Sequence, residues 1–174
     1  MELKFFKDFD FIDLWKSQYS ENEIITEELI TSLELELGYK LPASYIELMK
    51  LHNGGSLKKN IPLIKFKSEQ GTDWGLGTIE ISDIMGIDRK HTYSIGGERG
   101  SRFWITEWEY PDIGIYFGCT PRGGHDMIMM DYSVSGKQGE PQIVQIEPDG
   151  EKTILAKDFE TFIRMLDNSN SYDY

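Results

Sequence analysis

Ile113-Gly-Ile-Tyr-Phe-Gly118, then Cys119-Thr-Pro-Arg-Gly-Gly124, then His125-Asp-Met-Ile-Met-Met-Asp-Tyr132 reads as strand, turn and strand. Ile113, Ile115 and Phe117 alternate onto one face, and Ile128, Met130 and Tyr132 onto one face of the return strand. The opposite faces carry Tyr116, Met127 and Met129, so neither side is made for water. A hairpin apolar on both sides belongs in the middle of a sheet, with further layers or strands around it. The other segments are therefore read as its partners.

Downstream, Ser133–Glu140 is a polar loop and 141–147 a half-exposed strand. Pro148-Asp149-Gly150 is a turn, with Lys152–Ala156 as the returning strand. Asp158 caps a helix whose Phe159, Phe162, Ile163 and Leu166 recur at helical spacing; residues 169–174 read as a frayed tail.

Upstream, Thr26 caps a helix over 26–37, with Glu27 and Glu28 at the positive end of its dipole and Gly38 closing it. Pro42 opens a second helix, along which Tyr45, Leu48, Met49 and His52 share a face, and Asn53-Gly54-Gly55 stops it. Residues 8–18, with Asp8 as cap and Phe11, Ile12 and Trp15 on one side, predict an extra N-terminal helix within residues 1–25. Between the helices and the hairpin, 61–66 reads as a strand that Pro62 puts at an edge or at the start of pairing, and 68–77 as a loop holding Trp74. Thr78–Ile81 predicts a short strand, Ser82–Met85 one helical turn, His91–Gly100 an irregular stretch, and Ser101–Tyr110 an extended segment. Helices, then strands, then one helix predict an α+β fold: N-terminal helices and a C-terminal helix on a mainly antiparallel sheet of about six strands. With no internal repeat and no linker, residues 1–174 read as a single domain.

The net charge is −12, and residues 1–36 alone hold ten Asp/Glu against three Lys. Such acidity argues against nucleic acid, whose binding needs Lys and Arg on phosphates. It suits a basic protein partner, and it equally suits simple solubility. No run of 18 apolar residues predicts a membrane span, and the first residues lack the basic head and apolar stretch of a secretory leader. A lone cysteine, Cys119, excludes an internal disulfide and predicts a cytoplasmic protein.

Candidate chemistry is sparse. Cys119 and His125 are close enough in sequence for a thiol–imidazole nucleophile, against the simpler reading of Cys119 as a small packed residue. Cys119, His125, Asp126 and Asp131 mix ligand types without metal-site spacing. Gly96-Gly97-Glu98-Arg99-Gly100 matches a phosphate loop only in glycine content. His52 stands in a last helical turn, where a cation favours the dipole. Glu107 and Glu109, two apart on the expected strand, form an acidic face with Trp108 behind it. That face is either solvated or, with Trp74, Tyr110 and Asp112, an acidic and aromatic docking patch. No cofactor is implied.

Three segments together resemble one family. Thr26-Glu-Glu-Leu, Leu33-Glu34, Leu37-Gly38, Leu41-Pro42-Ala-Ser-Tyr45 and Leu51-His-Asn53-Gly54-Gly55 look like the opening helical pair of the SUKH superfamily, the Smi/Knr-type proteins. Gly118, Gly123-Gly124-His125-Asp126-Met-Ile-Met-Met-Asp131-Tyr132 resembles its Gly-rich hairpin. Pro141, Val144, Ile154-Leu-Ala156-Lys-Asp158-Phe159 and Phe162-Ile163 are similar to its closing hairpin and helix. The resemblance spans about residues 26–166 and implies an α+β domain that is not an enzyme. Bacterial members are taken to be immunity proteins that neutralise toxins, often nucleases; fungal members regulate cell-wall glucan synthesis through protein contacts. The expectation is therefore a toxin-binding immunity protein whose partner-binding residues are Trp74, Glu107, Trp108, Glu109, Tyr110 and Asp112. The alternative is a non-catalytic regulatory or scaffold module.

Overall fold

The computed structural model describes residues 2–11, 14–19, 24–58, 64–65, 76–77, 80–122 and 125–166. In chain order these form β1 (Trp15–Gln18), α1 (Glu27–Leu37), α2 (Ala43–Leu51), β2 (Gly55–Leu57), β3 (Ile64–Lys65), β4 (Leu76–Gly77) and β5 (Asp83–Ile84). There follow α3 (Ser101–Thr106), β6 (Gly114–Cys119), β7 (Met127–Asp131), β8 (Gln142–Ile146), β9 (Lys152–Ala156) and α4 (Phe159–Met165). The fold is α+β. Seven strands make one antiparallel sheet in the order β1-β2-β5-β6-β7-β8-β9, one strand more than the pattern suggested. β3 pairs with β4 separately.

The β6–β7 hairpin lies in the middle of that order, as its two apolar faces require. All of β7 is buried, and so is β6 apart from its last residue, Cys119. One face is covered by α2 and α4, where Phe117 meets Tyr45, Phe159 and Phe162 edge-on at 5.6 to 6.2 Å. The other face receives α3. There the Tyr116 amide donates to Ser101 Oγ at 3.0 Å, and the Tyr116 ring meets Tyr110 at 5.7 Å.

A β-bulge between Tyr116 and Gly118 governs which side chain faces which layer. Tyr116 stands opposite Met129, Gly118 opposite Ile128 and Cys119 opposite Met127. The extra residue, Phe117, therefore points toward α2 and α4 like Gly118, and Cys119 is turned back to the α3 side. A single inserted residue re-aims everything after it.

The two N-terminal helices follow their capping signals. Thr26 Oγ1 accepts from the Leu29 amide at 3.1 Å, and Gly38 closes α1 in the left-handed region at φ 83°. Asn53 does more than end α2. Its Nδ2 donates to the Ile87 carbonyl at 3.0 Å, and the Ile87 amide donates to its Oδ1 at 2.7 Å. This joins the end of α2 to the exit of β5. Gly54 follows at φ 73°, and a Cβ there would stand 2.5 Å from the Gly86 nitrogen. Only glycine allows that approach.

Four local expectations are corrected. Residues 15–18, expected to be helical, form β1; they pair with β2, and Trp15 stacks on His52 at 4.2 Å. Residues 82–85, expected as a helical turn, contain β5, which fills the gap between β2 and β6. In both, pairing with a distant strand overrides a weak local pattern. Residues 80–81 of the expected strand 78–81 are not in a strand, and 78–79 lie outside the described residues. Ser101–Tyr110, read as extended, begins with the helix α3. Of the expected strand 61–66, only Ile64–Lys65 falls among the described residues, and the tail 169–174 lies outside them.

Candidate functional site

Beside the ends of β5 and β6, on the α3 side of the sheet, is a cleft of about 590 Å³. Its base comes from strand ends and the β6–β7 turn: Ser82 and Asp83, Cys119, Thr120 and Pro121. Aromatic rings wall it. Tyr19 comes from the end of β1, Tyr93 from the Gly-rich loop, and Phe103, Trp104 and Trp108 from α3 and its exit.

Polar contacts hold that loop in shape. Asp88 Oδ1 accepts from the amides of Lys90 and His91, and Ser94 Oγ donates to the Asp88 carbonyl at 2.6 Å. Arg89 ties the loop to α1 through Glu36 and Ser32. Tyr19 in turn stacks on the His91 ring at 4.0 Å. The wall is thus fixed at both ends by the fold.

Asp83 is the carboxylate of the cleft. Ser56, Asp83 and Cys119 stand directly opposite one another on β2, β5 and β6, so their side chains share a face. Asp83 Oδ1 accepts from Ser56 Oγ at 2.6 Å and from Tyr19 Oη at 3.4 Å. Burial and then the Asp83 charge push the Cys119 thiol up to about 12. Burial and the same charge raise the Tyr19 phenol. A thiol in that field stays protonated near neutral pH, the reverse of what a nucleophile needs. His125, its supposed base, is exposed and does not line the cleft.

The proposed metal ligands also part company. Asp126 pairs with Arg122 at 3.1 Å at the turn end of β7. Asp131 lies at the other end, about 14 Å along the strand from Met127, where the Ser133 amide, Gln142 Nε2 and Lys152 Nζ donate to it. Among the described residues, the carboxylates that do approach each other are Glu147, Asp149 and Glu151, on the β8–β9 turn. Burial under the Trp15 ring lowers the His52 pKa, which works against the dipole-bound cation expected there.

Of the six expected partner-binding residues, Trp108 borders the cleft and is 49% exposed. Glu107 and Glu109 flank it, both exposed, but on a helix exit rather than a strand. Glu109 sits at φ 58°, a left-handed conformation that costs a non-glycine residue about 1 kcal/mol. That reversal sends Trp108 outward and Tyr110 inward. Tyr110 is buried and donates to the His125 carbonyl at 3.0 Å, a contact that holds the segment. Asp112 is exposed, and its carbonyl accepts from Tyr39 Oη. Trp74 lies outside the described residues.

Sequence reasoning missed Tyr19, Asp83, Tyr93, Phe103 and Trp104. One signal was available: Trp104 and Trp108 are four apart, a helical spacing, and their rings meet at 5.6 Å. Trp104 is buried, and its Nε1 has no acceptor, so packing holds the ring in place.

The family model described as the SMI1 / KNR4 family (SUKH-1) matches residues 24–165. The chain belongs to this family. SUKH proteins are generally non-catalytic binding modules; immunity proteins are among them, and SUKH domains interact with protein partners that include toxins. The match runs from just before α1 into α4 and leaves β1 and Tyr19 outside it. Compared with curated proteins, the chain matches none. Among the described residues, no helix is long and apolar enough to cross a membrane.

Proposed function

We propose that this SUKH protein is an immunity protein: it binds a bacterial toxin, of nuclease type, and neutralises it by protein–protein contact in the cytoplasm. One observation carries the choice of surface. Tyr93 and Trp108 are two of only seven large hydrophobic residues exposed on the described surface, and both border the same cleft. Exposed aromatics beside a concavity are the residue type that anchors interfaces. Glu107, Glu109 and Asp112 are the acidic part of the proposed contact, with Trp74 as a further anchor. A toxin that acts on nucleic acid carries a basic cleft, which acidic side chains fit in place of phosphates. The net charge of −12 speeds such an encounter at low salt.

Co-expression with a toxin-like reading frame from its genomic neighbourhood should restore growth and yield a co-purifying complex. Reversing Glu107 and Glu109 to Lys should then slow association and flatten its salt dependence. Unchanged binding by that double variant removes these residues from the interface. A complex with a non-toxin protein, without growth rescue, would favour the regulatory or scaffold module instead.

A further inference from the structure

We infer that the cleft beside Asp83 receives an arginine side chain of the partner protein. This deepens the reading above and rests on it, since it names the group that the partner would insert.

Three observations converge. First, the cleft volume falls within the range of pockets that bury a compact ligand, roughly 300–1,000 Å³. One long side chain with its flanking backbone fits without rearrangement. Second, five aromatic rings wall the cleft. Ring faces attract cations, and a planar guanidinium stacks on them where an ammonium cannot. The protein already displays this pairing at the mouth. Arg99 lies over the Tyr93 ring at 6.0 Å and donates to its hydroxyl at 3.2 Å.

Third, among the described residues the carboxylate of the cleft has no ion-pair partner. Both hydrogen bonds to Asp83 end on Oδ1, from neutral hydroxyls, and among the described residues no Lys or Arg forms an ion pair with it. Arg99 also lines the cleft, yet its guanidinium is directed to Tyr93 and not to Asp83. Oδ2 is left for a donor from outside, and a guanidinium offers several in one plane. An anion would meet the Asp83 charge, which is already felt by the Cys119 thiol and the Tyr19 phenol. Charge and shape therefore select a cation with a flat, stackable head.

The test titrates the full chain with the capped tripeptide acetyl-Gly-Arg-Gly-amide, following tryptophan fluorescence and the indole N–H resonances. Saturable changes at Trp104 and Trp108 are expected. The same peptide with citrulline, which keeps the shape and loses the charge, should give none. Asp83→Asn retains the Oδ1 acceptor for Ser56 and should weaken the arginine peptide about tenfold. Trp108→Ala, at an exposed rim position, should weaken it too and serves if Asp83→Asn does not fold. No saturable change, equal binding of the citrulline peptide, or equal binding of the same peptide with lysine in place of arginine overturns the inference. Toxin binding is a separate axis. A toxin that binds wild type and Asp83→Asn equally refutes the arginine pocket and leaves the immunity reading standing. Arginine-peptide binding without any toxin complex does the opposite.

Discussion

Replacing Asn53 by alanine should be among the most damaging single changes outside the hydrophobic core. The side chain is buried and forms two hydrogen bonds to the backbone of Ile87, which is itself inaccessible. Truncation strands one N–H and one C=O. Each buried polar group left unpaired costs about 1–3 kcal/mol, so the pair comes to roughly 2–6 kcal/mol. Little relaxation is available, because the hypothetical Cβ contacts of Gly54 and Gly86 show their backbones already near touching distance. For a chain of this length, about 2–4 °C of Tm is lost per kcal/mol, so the melting point should fall by roughly 4–24 °C. Urea unfolding followed by tryptophan fluorescence reads the same loss as a lower midpoint with an unchanged slope. Asn53→Asp sharpens the test. Its carboxylate still accepts from the Ile87 amide but faces the Ile87 carbonyl with no proton to donate. That variant should recover stability as pH falls and the buried acid protonates. A midpoint for Asn53→Ala within about 0.5 kcal/mol of wild type would refute the reasoning.

His52 has its pKa lowered by burial, so the unfolded chain takes up its proton first as pH falls below the ordinary histidine range. Stability should drop between that range and the folded value, and His52→Gln should lose this part of the acid slope in urea midpoints measured at several pH values. Asp131 is shifted in the same direction by a different cause: burial raises its pKa, but donors from Ser133, Lys152 and Gln142 outweigh that and hold it below the usual carboxylate range. Its contribution is complete above the ordinary aspartate range and lost as pH falls through the folded value. Lys152→Met, which leaves the buried carboxylate two neutral donors, should cost about 1–3 kcal/mol, less than a fully buried pair because Lys152 touches water. Cys119 should react with a thiol reagent at pH 7 far more slowly in the native protein than in urea. Equal or faster native labelling would restore the nucleophile.

Helices with local signals were legible. α1 begins and ends, and α4 begins, where capping residues put them, because Thr26, Gly38 and Asp158 act on backbone groups within a few residues. The β6–β7 and β8–β9 hairpins were legible for the same reason, each joined by a short turn. β1 and β5 were not. Each is short, and each is a strand only because a remote neighbour lends it a ladder, a fact no window of a few residues contains. α3 was misread because Phe103, Trp104, Ile105 and Thr106 favour strands by type while the spacing of Trp104 and Trp108 favours a helix. Burial of Trp104 against Tyr110 and Phe103 settles that competition in favour of the helix.

The cleft was illegible for a deeper reason. Strict alternation along β6 would place Cys119 with Ile115 and Phe117, facing α2 and α4 and turned away from the cleft. The bulge inverts that parity, so Cys119 joins Tyr116 on the α3 side, directly opposite Asp83. Period-two reading assumes an unbroken ladder, and one inserted residue reverses its answer for every position beyond. The same inversion separates the two chemistries weighed from sequence. It sets the thiol beside a carboxylate, where thiolate is disfavoured, and that carboxylate lines the cleft walled by aromatic rings, where a cation is favoured. A fold that turns Cys119 toward Asp83 therefore works against covalent chemistry and toward recognition of positive charge at the same place.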